Sequence, residues 1–163
     1  MSRKIRSWVV IGILASCMTS CTKRLKQASS SMEPTIRAGE MVSVDRLHSP
    51  PKRWDVIVFE SPLSGKGHWI SRIVGVPGET VDIHSGQLVV NGRVMPLPKH
   101  VKIGKYRRPT PLPSSSAPGP ISFPYKLRAG RYFVLSDNVS NALDSRYWGG
   151  LDESKILGIV PGK

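Results

Sequence analysis

Short β-type runs separated by turn residues make up most of the chain after Ala38. Apolar and polar residues alternate in 41–45 and 79–83, and the run 69–76 is rich in β-branched side chains and ends at Pro77-Gly78. Alternation with a period of two buries one face of a strand and exposes the other, and no long 3.6-residue apolar periodicity accompanies it. The pattern therefore predicts a mainly β fold. The predicted strands are 41–45, 55–59, 69–76, 79–83, 87–90, 93–95, 131–135 and 156–160.

One hairpin and one long loop can be placed within this series. Asn91-Gly92 separates the runs 87–90 and 93–95, and Asn-Gly supplies the two positive φ angles that a type I′ turn requires. The stretch 106–124 is dense in proline and serine, which interrupt sheets and helices. A chain of 163 residues supports one modest domain, and we expect the hairpin and the Pro/Ser-rich stretch to form an insertion at about 84–130.

Residues 1–22 have the layout of an export signal. Positive charges in Met1–Arg6 precede the apolar run Ser7–Cys17, which is shorter than the roughly 20 residues of a usual transmembrane helix. Two anchors fit this layout. One is a short signal-anchor helix, and the other is lipidation of Cys17, because Leu14-Ala15-Ser16-Cys17 resembles a bacterial lipobox. In both cases, residues 23–163 would form a folded domain held at a membrane.

An excess of positive charge limits the class of partner. Lys and Arg total 24 against 11 Asp and Glu, which gives a net charge of +13 and favours anionic partners. No zinc-finger spacing, RNP-like aromatic motif or helix-turn-helix pattern accompanies the charge. We therefore expect an anionic membrane surface and no nucleic acid as a partner. No Gly-rich phosphate loop, paired carboxylates or metal-ligand cluster is visible in the sequence, and we predict no cofactor.

Four blocks of sequence carry a resemblance to a known family. They are Ser29–Thr35 (SSSMEPT), Arg53–Phe59 (RWDVIVF), Ser71–Glu79 (SRIVGVPGE), and Ser136-Asp137-Asn138 continuing to Asp144–Gly149 (DSRYWG). In this order they resemble the signature boxes of the type I signal peptidases, membrane-bound serine proteases that remove signal peptides from exported proteins. The resemblance implies a coiled antiparallel β-sheet or barrel domain with a small β insertion, preceded by an N-terminal membrane anchor. It also implies a place in the bacterial cytoplasmic membrane, with the domain on the outer side.

The first block would carry the nucleophile. The resemblance places the reactive serine directly before the methionine of Ser-Met-x-Pro-Thr, which is Ser31 in this sequence. It also gives Ser29 the role of helping the Ser31 backbone N–H to form an oxyanion hole, a kind of donor worth about 10²- to 10³-fold in rate. Met32 and Ile70 match residues around a shallow apolar pocket for small side chains near the cleavage site.

The chain departs from the family at the general base. A serine hydroxyl needs a base within hydrogen-bond reach, and family members have lysine, or histidine in the eukaryotic branch, at the position that Ser71 occupies here. Ala142 takes the place of the serine that orients the lysine. Arg72, Asp144 and Arg146 match residues that brace the site, which fits charge-assisted pairing.

Other titratable side chains could supply a base only from a distance. The candidates by pKa are Lys66 and the histidines His48, His68, His84 and His100. His68 is three residues before Ser71, so in a strand the two side chains should point to opposite faces. For all five, we expect solvated surface side chains.

Three functions are compatible with these observations. The first is a membrane-tethered serine endopeptidase that cleaves signal-peptide-bearing preproteins after small residues. The second is an inactive relative that binds signal peptides or an active paralogue, because Ser71 and Ala142 replace the lysine and its orienting serine. The third is a basic lipoprotein that reuses the fold for surface binding.

Overall fold

The structure, a computed structural model, describes residues 23–63, 67–110, 119–140 and 142–163. Within these ranges the regular structure is mainly β, with one helical turn, α1 (Ser145–Trp148), and two 3-10 helices, Ser30–Met32 and Glu153–Lys155. The strands are β1 (Lys23–Lys26), β2 (Met41–Val44), β3 (Val56–Glu60), β4 (His68–Gly75), β5 (Thr80–His84), β6 (Gln87–Val90), β7 (Arg93–Val94), β8 (Tyr125–Lys126), β9 (Arg131–Leu135), β10 (Leu151–Asp152) and β11 (Ile156–Ile159).

The central layer is a five-stranded antiparallel sheet with the order β10-β9-β4-β3-β11. The hairpin β1-β2 continues it, because Asp45 follows β2 and exchanges two backbone hydrogen bonds with Ile159 of β11, at 2.9 and 3.0 Å. The longest strand, β4, pairs with β3 from His68 to Arg72 and with β9 only from Arg72 onward. One edge of β4 at His68–Ser71 therefore has no partner among the described strands.

A second antiparallel sheet, of four strands in the order β7-β6-β5-β8, follows β4 in the chain. Its β6-β7 hairpin turns at Asn91 and Gly92, whose φ angles are 49° and 76°. Both angles are positive, as a type I′ turn requires, so the hairpin predicted from Asn-Gly is confirmed.

The two sheets meet at Gly75. The β4-β9 register shifts between Ile73 and Gly75, and a Cβ on Gly75 would lie 2.6 Å from a methyl of Val81 and 3.0 Å from the Phe133 Cβ. Only glycine permits this close approach of the sheets. A core cluster on this side of the junction contains Val74, Val81, Ile83, Leu88, Val90, Tyr106, Leu127, Phe133 and Leu135.

The strands predicted from the sequence agree with the observed ones to within one or two residues at each end. Strand β1 was not predicted, because Lys-Arg-Leu-Lys offers no apolar alternation and depends on pairing with β2. Tyr106 was expected to begin a surface loop, yet it is buried in the core around the second sheet. A large aromatic ring at the edge of a Pro-rich segment gains more from burial than the loop composition suggests.

The segment 1–22, including Cys17, and the middle of the Pro/Ser-rich stretch, 111–118, lie outside the described residues. The predicted anchor and the predicted division of the chain stay predictions. In the ranges that the structure describes, none of the helices is long and apolar enough to cross a membrane.

Candidate active site

Ser31 lies in the short 3-10 helix Ser30–Met32, and the local fold fixes its backbone. Ser29 caps this helix in an extended conformation, and its Oγ accepts a hydrogen bond from the Ser31 N–H at 3.4 Å. Asn138 holds the same turn from the other side, through its backbone N–H to the Ser31 carbonyl at 2.8 Å and its side-chain amide to the Ser30 carbonyl at 3.1 Å. Met32, the residue after Ser31, is fully buried in the core, so its side chain anchors the turn.

A cleft of about 330 Å³ brings together most of the residues that the sequence singled out. Ser29, Ser31, Ile70, Ser71 and Ala142 line it. Met32 is not among the lining residues and lies in the core, together with Ile70. The lining residues that had no assigned role include Gln27, Ser136 and Leu143.

The Ser31 hydroxyl contacts two neutral groups. The Gln27 side-chain amide donates to the Ser31 Oγ at 3.2 Å and to the Ser29 carbonyl at 2.9 Å. The Ser29 hydroxyl donates to the same Ser31 Oγ at 3.0 Å. Donors to an oxygen stabilise its lone pairs and do not remove its proton, so these contacts position Ser31 without activating it.

Ser71 lines the same cleft as Ser31. Its side chain is 3% exposed and makes no hydrogen bond to another residue that the structure describes, although it faces the same cavity as Ser31. Ala142, where the orienting serine is expected, offers only a methyl group to the cleft. A hydroxyl and a methyl cannot accept the Ser31 proton near neutral pH.

His68 also lines the cleft, together with Ser71. That the two side chains point to opposite faces of β4 stays a prediction. His68 is nevertheless exposed and is not among the hydrogen-bond partners of Ser31 in the described part of the chain. His48, His84 and His100 are exposed away from the cleft, and Lys66 lies outside the described residues.

A buried ion pair lies beside the cleft residue Ser71. Arg72, next to Ser71, makes a two-pronged contact with Asp137 through Nε at 2.9 Å and Nη2 at 2.7 Å. The side chains of both residues are almost completely buried. Thr35 donates its hydroxyl to Asp137 as well, and thereby ties the Ser29–Thr35 block to β4. Paired donors of this kind fix both distance and orientation.

A second buried pair, Asp144 with Arg146, braces the loop that carries Ser136 and Ala142. Arg146 contacts Asp144 through Nε at 2.7 Å and Nη2 at 2.8 Å, and it also donates to the Val139 carbonyl at 3.1 Å. Asp144 accepts the Ser136 backbone N–H at 3.1 Å. The geometry agrees with the expected bracing role, which no functional observation yet tests.

Tyr106 is buried near these two pairs. Burial, followed by the negative charge of Asp137, raises the pKa of Tyr106. Its hydroxyl has no hydrogen-bond partner among the described residues. In the same ranges, no group of three or more His, Cys, Asp or Glu side chains could hold a metal ion.

Comparison with known proteins identifies the family of the chain. The family model described as "Signal peptidase, peptidase S26" matches residues 2–161. The chain belongs to this family. Its membership confirms the resemblance carried by the four sequence blocks.

Individual S26 proteins give the extent of the similarity. The chain is 30% identical to signal peptidase I U of Bacillus subtilis, over 96% of this chain and 86% of that protein. It is 29% identical to signal peptidase I of Leptolyngbya laminosa, over 80% of this chain and 62% of that protein, so it spans about three fifths of that relative's length. Among solved structures, a signal peptidase I from Enterococcus faecalis V583 is similar with a TM-score of 0.49 and 28% identity, over 69% of this chain and 97% of that one.

Gln27 carried no usable signal in the sequence, because it precedes the first block and looks like an ordinary linker residue. Asp137 belongs to the fourth block, but its partner Arg72 is 65 residues away in the chain, so residue type alone does not indicate the pair. The charged residues within the blocks, Arg72, Asp144 and Arg146, were the available hint of charge-assisted pairing.

Proposed function

We propose that this chain is a signal-peptide-recognising member of the S26 family that binds the region around a cleavage site without cleaving it. The observation that carries the proposal is the composition of the cleft. It retains the serine of the first block, but a serine hydroxyl and an alanine methyl stand where the base and its orienting group are expected.

The unpaired edge of β4 supports peptide binding. At His68–Ser71, the backbone groups that face away from β3 have no strand beside them among the described residues. An extended peptide can add to such an edge by main-chain hydrogen bonds, while side-chain pockets supply selectivity. Ile70 and Ala142 give the adjoining cleft a small apolar lining, which suits the small residues that precede a signal-peptide cleavage site.

The contacts of Ser31 support the absence of cleavage. Its oxygen accepts from Gln27 and Ser29, both of which are uncharged. General-base catalysis contributes about 10²- to 10⁴-fold, and Ser71 cannot contribute it. The two relatives compared above are named signal peptidase I and signal peptidase I U, and this chain would share their ligand without their chemistry.

Peptide-bond cleavage by Ser31 is the second candidate function. One observation favours it: the Ser29 hydroxyl and the Ser31 backbone N–H, the two donors that the resemblance assigns to an oxyanion hole, are in hydrogen-bond contact with each other at 3.4 Å. In that case the base comes from a group that does not contact Ser31 in this structure.

We further propose that the domain is held at the outer face of the bacterial cytoplasmic membrane, where exported preproteins present their signal peptides. The apolar run Ser7–Cys17 supports an anchor. Mass spectrometry of the mature N-terminus distinguishes the two anchors. A diacylglyceryl group on Cys17 supports a lipoprotein, and an intact Met1 or Ser2 rules the lipoprotein out.

The proposed function is tested by measuring binding and cleavage of one fluorescent signal-peptide substrate in parallel. We expect wild type and Ser31→Ala to bind it with equal affinity and to release no product. Ala142→Trp should abolish binding by filling the cleft, whereas Leu157→Trp, on the exposed part of β11, should not. Product release by wild type that Ser31→Ala abolishes would establish the peptidase instead, and equal binding by the Ala142→Trp variant would exclude the cleft as the binding site.

A further inference from the structure

The distribution of charge along the chain is uneven. Between Asp82 and Asp137 there is no acidic residue. The same stretch contains nine Lys and Arg residues: Arg93, Lys99, Lys102, Lys105, Arg107, Arg108, Lys126, Arg128 and Arg131. This stretch includes three strands of the second sheet and the loops around them.

Five of these cations lie close together in the sequence and are exposed to solvent. They are Arg93, Lys99, Lys102, Lys105 and Arg107. None of them pairs with a carboxylate in the described ranges, whereas Arg108 pairs with Asp82 and Arg131 with Asp152. We call the surface formed by residues 93–107 the cationic face.

Apolar side chains are also exposed between the charged residues of the cationic face. Val94 is 53% exposed and Leu97 is 40% exposed, which makes them two of the few exposed large apolar side chains in the described chain. Both line a cavity of about 410 Å³ beneath the segment, together with Leu88, Met95 and Ile103. Exposed apolar side chains grouped over a cavity are typical of a binding surface.

We propose that the cationic face docks on a bilayer surface of anionic phospholipids. Lysine and arginine near such a surface are attracted to its headgroups, and apolar side chains between them can enter the boundary between headgroups and acyl chains. Nucleic acid shares the charge requirement, but single strands also need exposed aromatic rings for base stacking. The one aromatic residue of the face, Tyr106, is buried.

The cationic face lies next to the candidate site, so docking of the face would also affect where that site lies relative to the membrane. Lys105 and Arg107 line one depression together with Glu33 and Asn138. Glu33 follows the Ser30–Met32 helix, and Asn138 holds that helix through its backbone. A docked cationic face therefore brings the cleft entrance close to the headgroups, whether or not Ser31 is reactive.

The test follows one labelled position in the full-length chain, with residues 1–22 unchanged so that either proposed anchor is retained. An environment-sensitive fluorescent amino acid is incorporated in place of Leu97, so that Cys17 and Cys21 need not be replaced. The matched control carries the same label in place of Leu157, an equally exposed leucine on the five-stranded sheet. Each protein is reconstituted into vesicles of phosphatidylcholine, alone or mixed with phosphatidylglycerol.

We expect the label at position 97 to shift to shorter wavelength in the phosphatidylglycerol vesicles only, and the label at 157 to shift in neither. High salt should reverse the shift. The change Lys99→Gln with Lys102→Gln and Lys105→Gln should lower the ratio of docked to undocked protein by about tenfold or more. No shift at 97, an equal shift in phosphatidylcholine alone, or an equal shift at 157 would overturn the proposal. So would a shift produced by a DNA duplex without vesicles.

Discussion

At the scale of single residues, position 71 decides between binding and catalysis. Ser71 and Ala142 line the same cleft as Ser31, so restoring an amine and its orienting hydroxyl is a local change. We expect Ser71→Lys with Ala142→Ser to gain cleavage of a signal-peptide substrate, by about 10²- to 10⁴-fold over wild type. The gain should disappear when Ser31→Ala is added, and a product-release assay measures both.

A matched control tests whether the amine is responsible. Ser71→Met with Ala142→Ser adds similar bulk without a base and should stay inactive. Ser136 is buried in the same cleft, so Ser136→Gly is the third change to add if the lysine needs room. Activity in the methionine variant, or none in the triple variant, would contradict the account of the missing base.

Tyr106 offers a second prediction at this scale. Its buried hydroxyl has no partner among the described residues, and an unsatisfied buried polar group costs about 1–3 kcal/mol. Tyr106→Phe should therefore raise the free energy of unfolding by about 1 kcal/mol at neutral pH, as measured by urea denaturation. If the variant instead has a free energy of unfolding more than about 1 kcal/mol below that of wild type, the hydroxyl is hydrogen-bonded in solution.

The same variant makes a pH prediction with a defined sign. Burial raises the pKa of Tyr106 in the folded state, whereas in the unfolded chain tyrosine titrates near 10. The folded state thus holds this proton more tightly, and wild type loses stability as the pH rises above about 10. Tyr106→Phe should lose less over that range, and parallel curves for the two proteins would contradict the raised pKa.

At the scale of elements, the Arg72–Asp137 pair joins β4 to the loop that follows β9. Removing one partner of a buried pair costs about 3–5 kcal/mol, whereas an exposed pair is worth about 1 kcal/mol or less. Urea denaturation should therefore show a large loss for Arg72→Ala. The matched change Arg131→Ala, which breaks the exposed pair with Asp152, should cost little. Equal losses would mean that the buried pair contributes no more than a surface contact.

The junction between the two sheets gives a second prediction for elements. A Cβ at Gly75 would overlap Val81 and crowd Phe133, whereas one at Gly104 would meet nothing within 4 Å. We expect Gly75→Ala to lower the free energy of unfolding by about 1–3 kcal/mol, the usual cost of overpacking. Gly104→Ala should change it little, and a neutral Gly75→Ala in the same assay would show that the sheets can move apart.

The elements also show what the sequence could predict. Strands with alternating or β-branched runs, such as β4 and β6, were predicted because their pattern is local. The hairpin was predicted because Asn91-Gly92 specifies its own turn. Strand β1 and the Arg72–Asp137 pair were not predicted, since both depend on a partner that is distant in the chain.

The candidate site likewise contains residues that the sequence could indicate and residues that it could not. The four blocks indicated Ser31, Ser29, Ser71 and Ala142, and the structure brings all four to one cleft. Gln27 was missed because a hydrogen bond to Ser31 leaves no mark on residue type. Strand alternation alone did not indicate that His68 lines the cleft, because alternation describes the faces of a sheet and not the surroundings of its open edge.

At the scale of the whole molecule, the cleft and the cationic face belong to different sheets but lie next to each other. The five-stranded sheet supplies β4 with its unpaired edge, and the second sheet adds the charged segment 93–107. A peptide emerging from a membrane would meet both surfaces. The arrangement therefore suits the capture of a signal peptide at a bilayer even when no peptide bond is broken.

The most direct test of this account is mass spectrometry of a signal-peptide-bearing preprotein incubated with the full-length chain in vesicles, combined with site-specific crosslinking from position 70. We expect an intact preprotein whose crosslinks fall around its cleavage site, and an identical result with Ser31→Ala. A preprotein shortened at that site by wild type, and left whole by Ser31→Ala, would contradict the central claim.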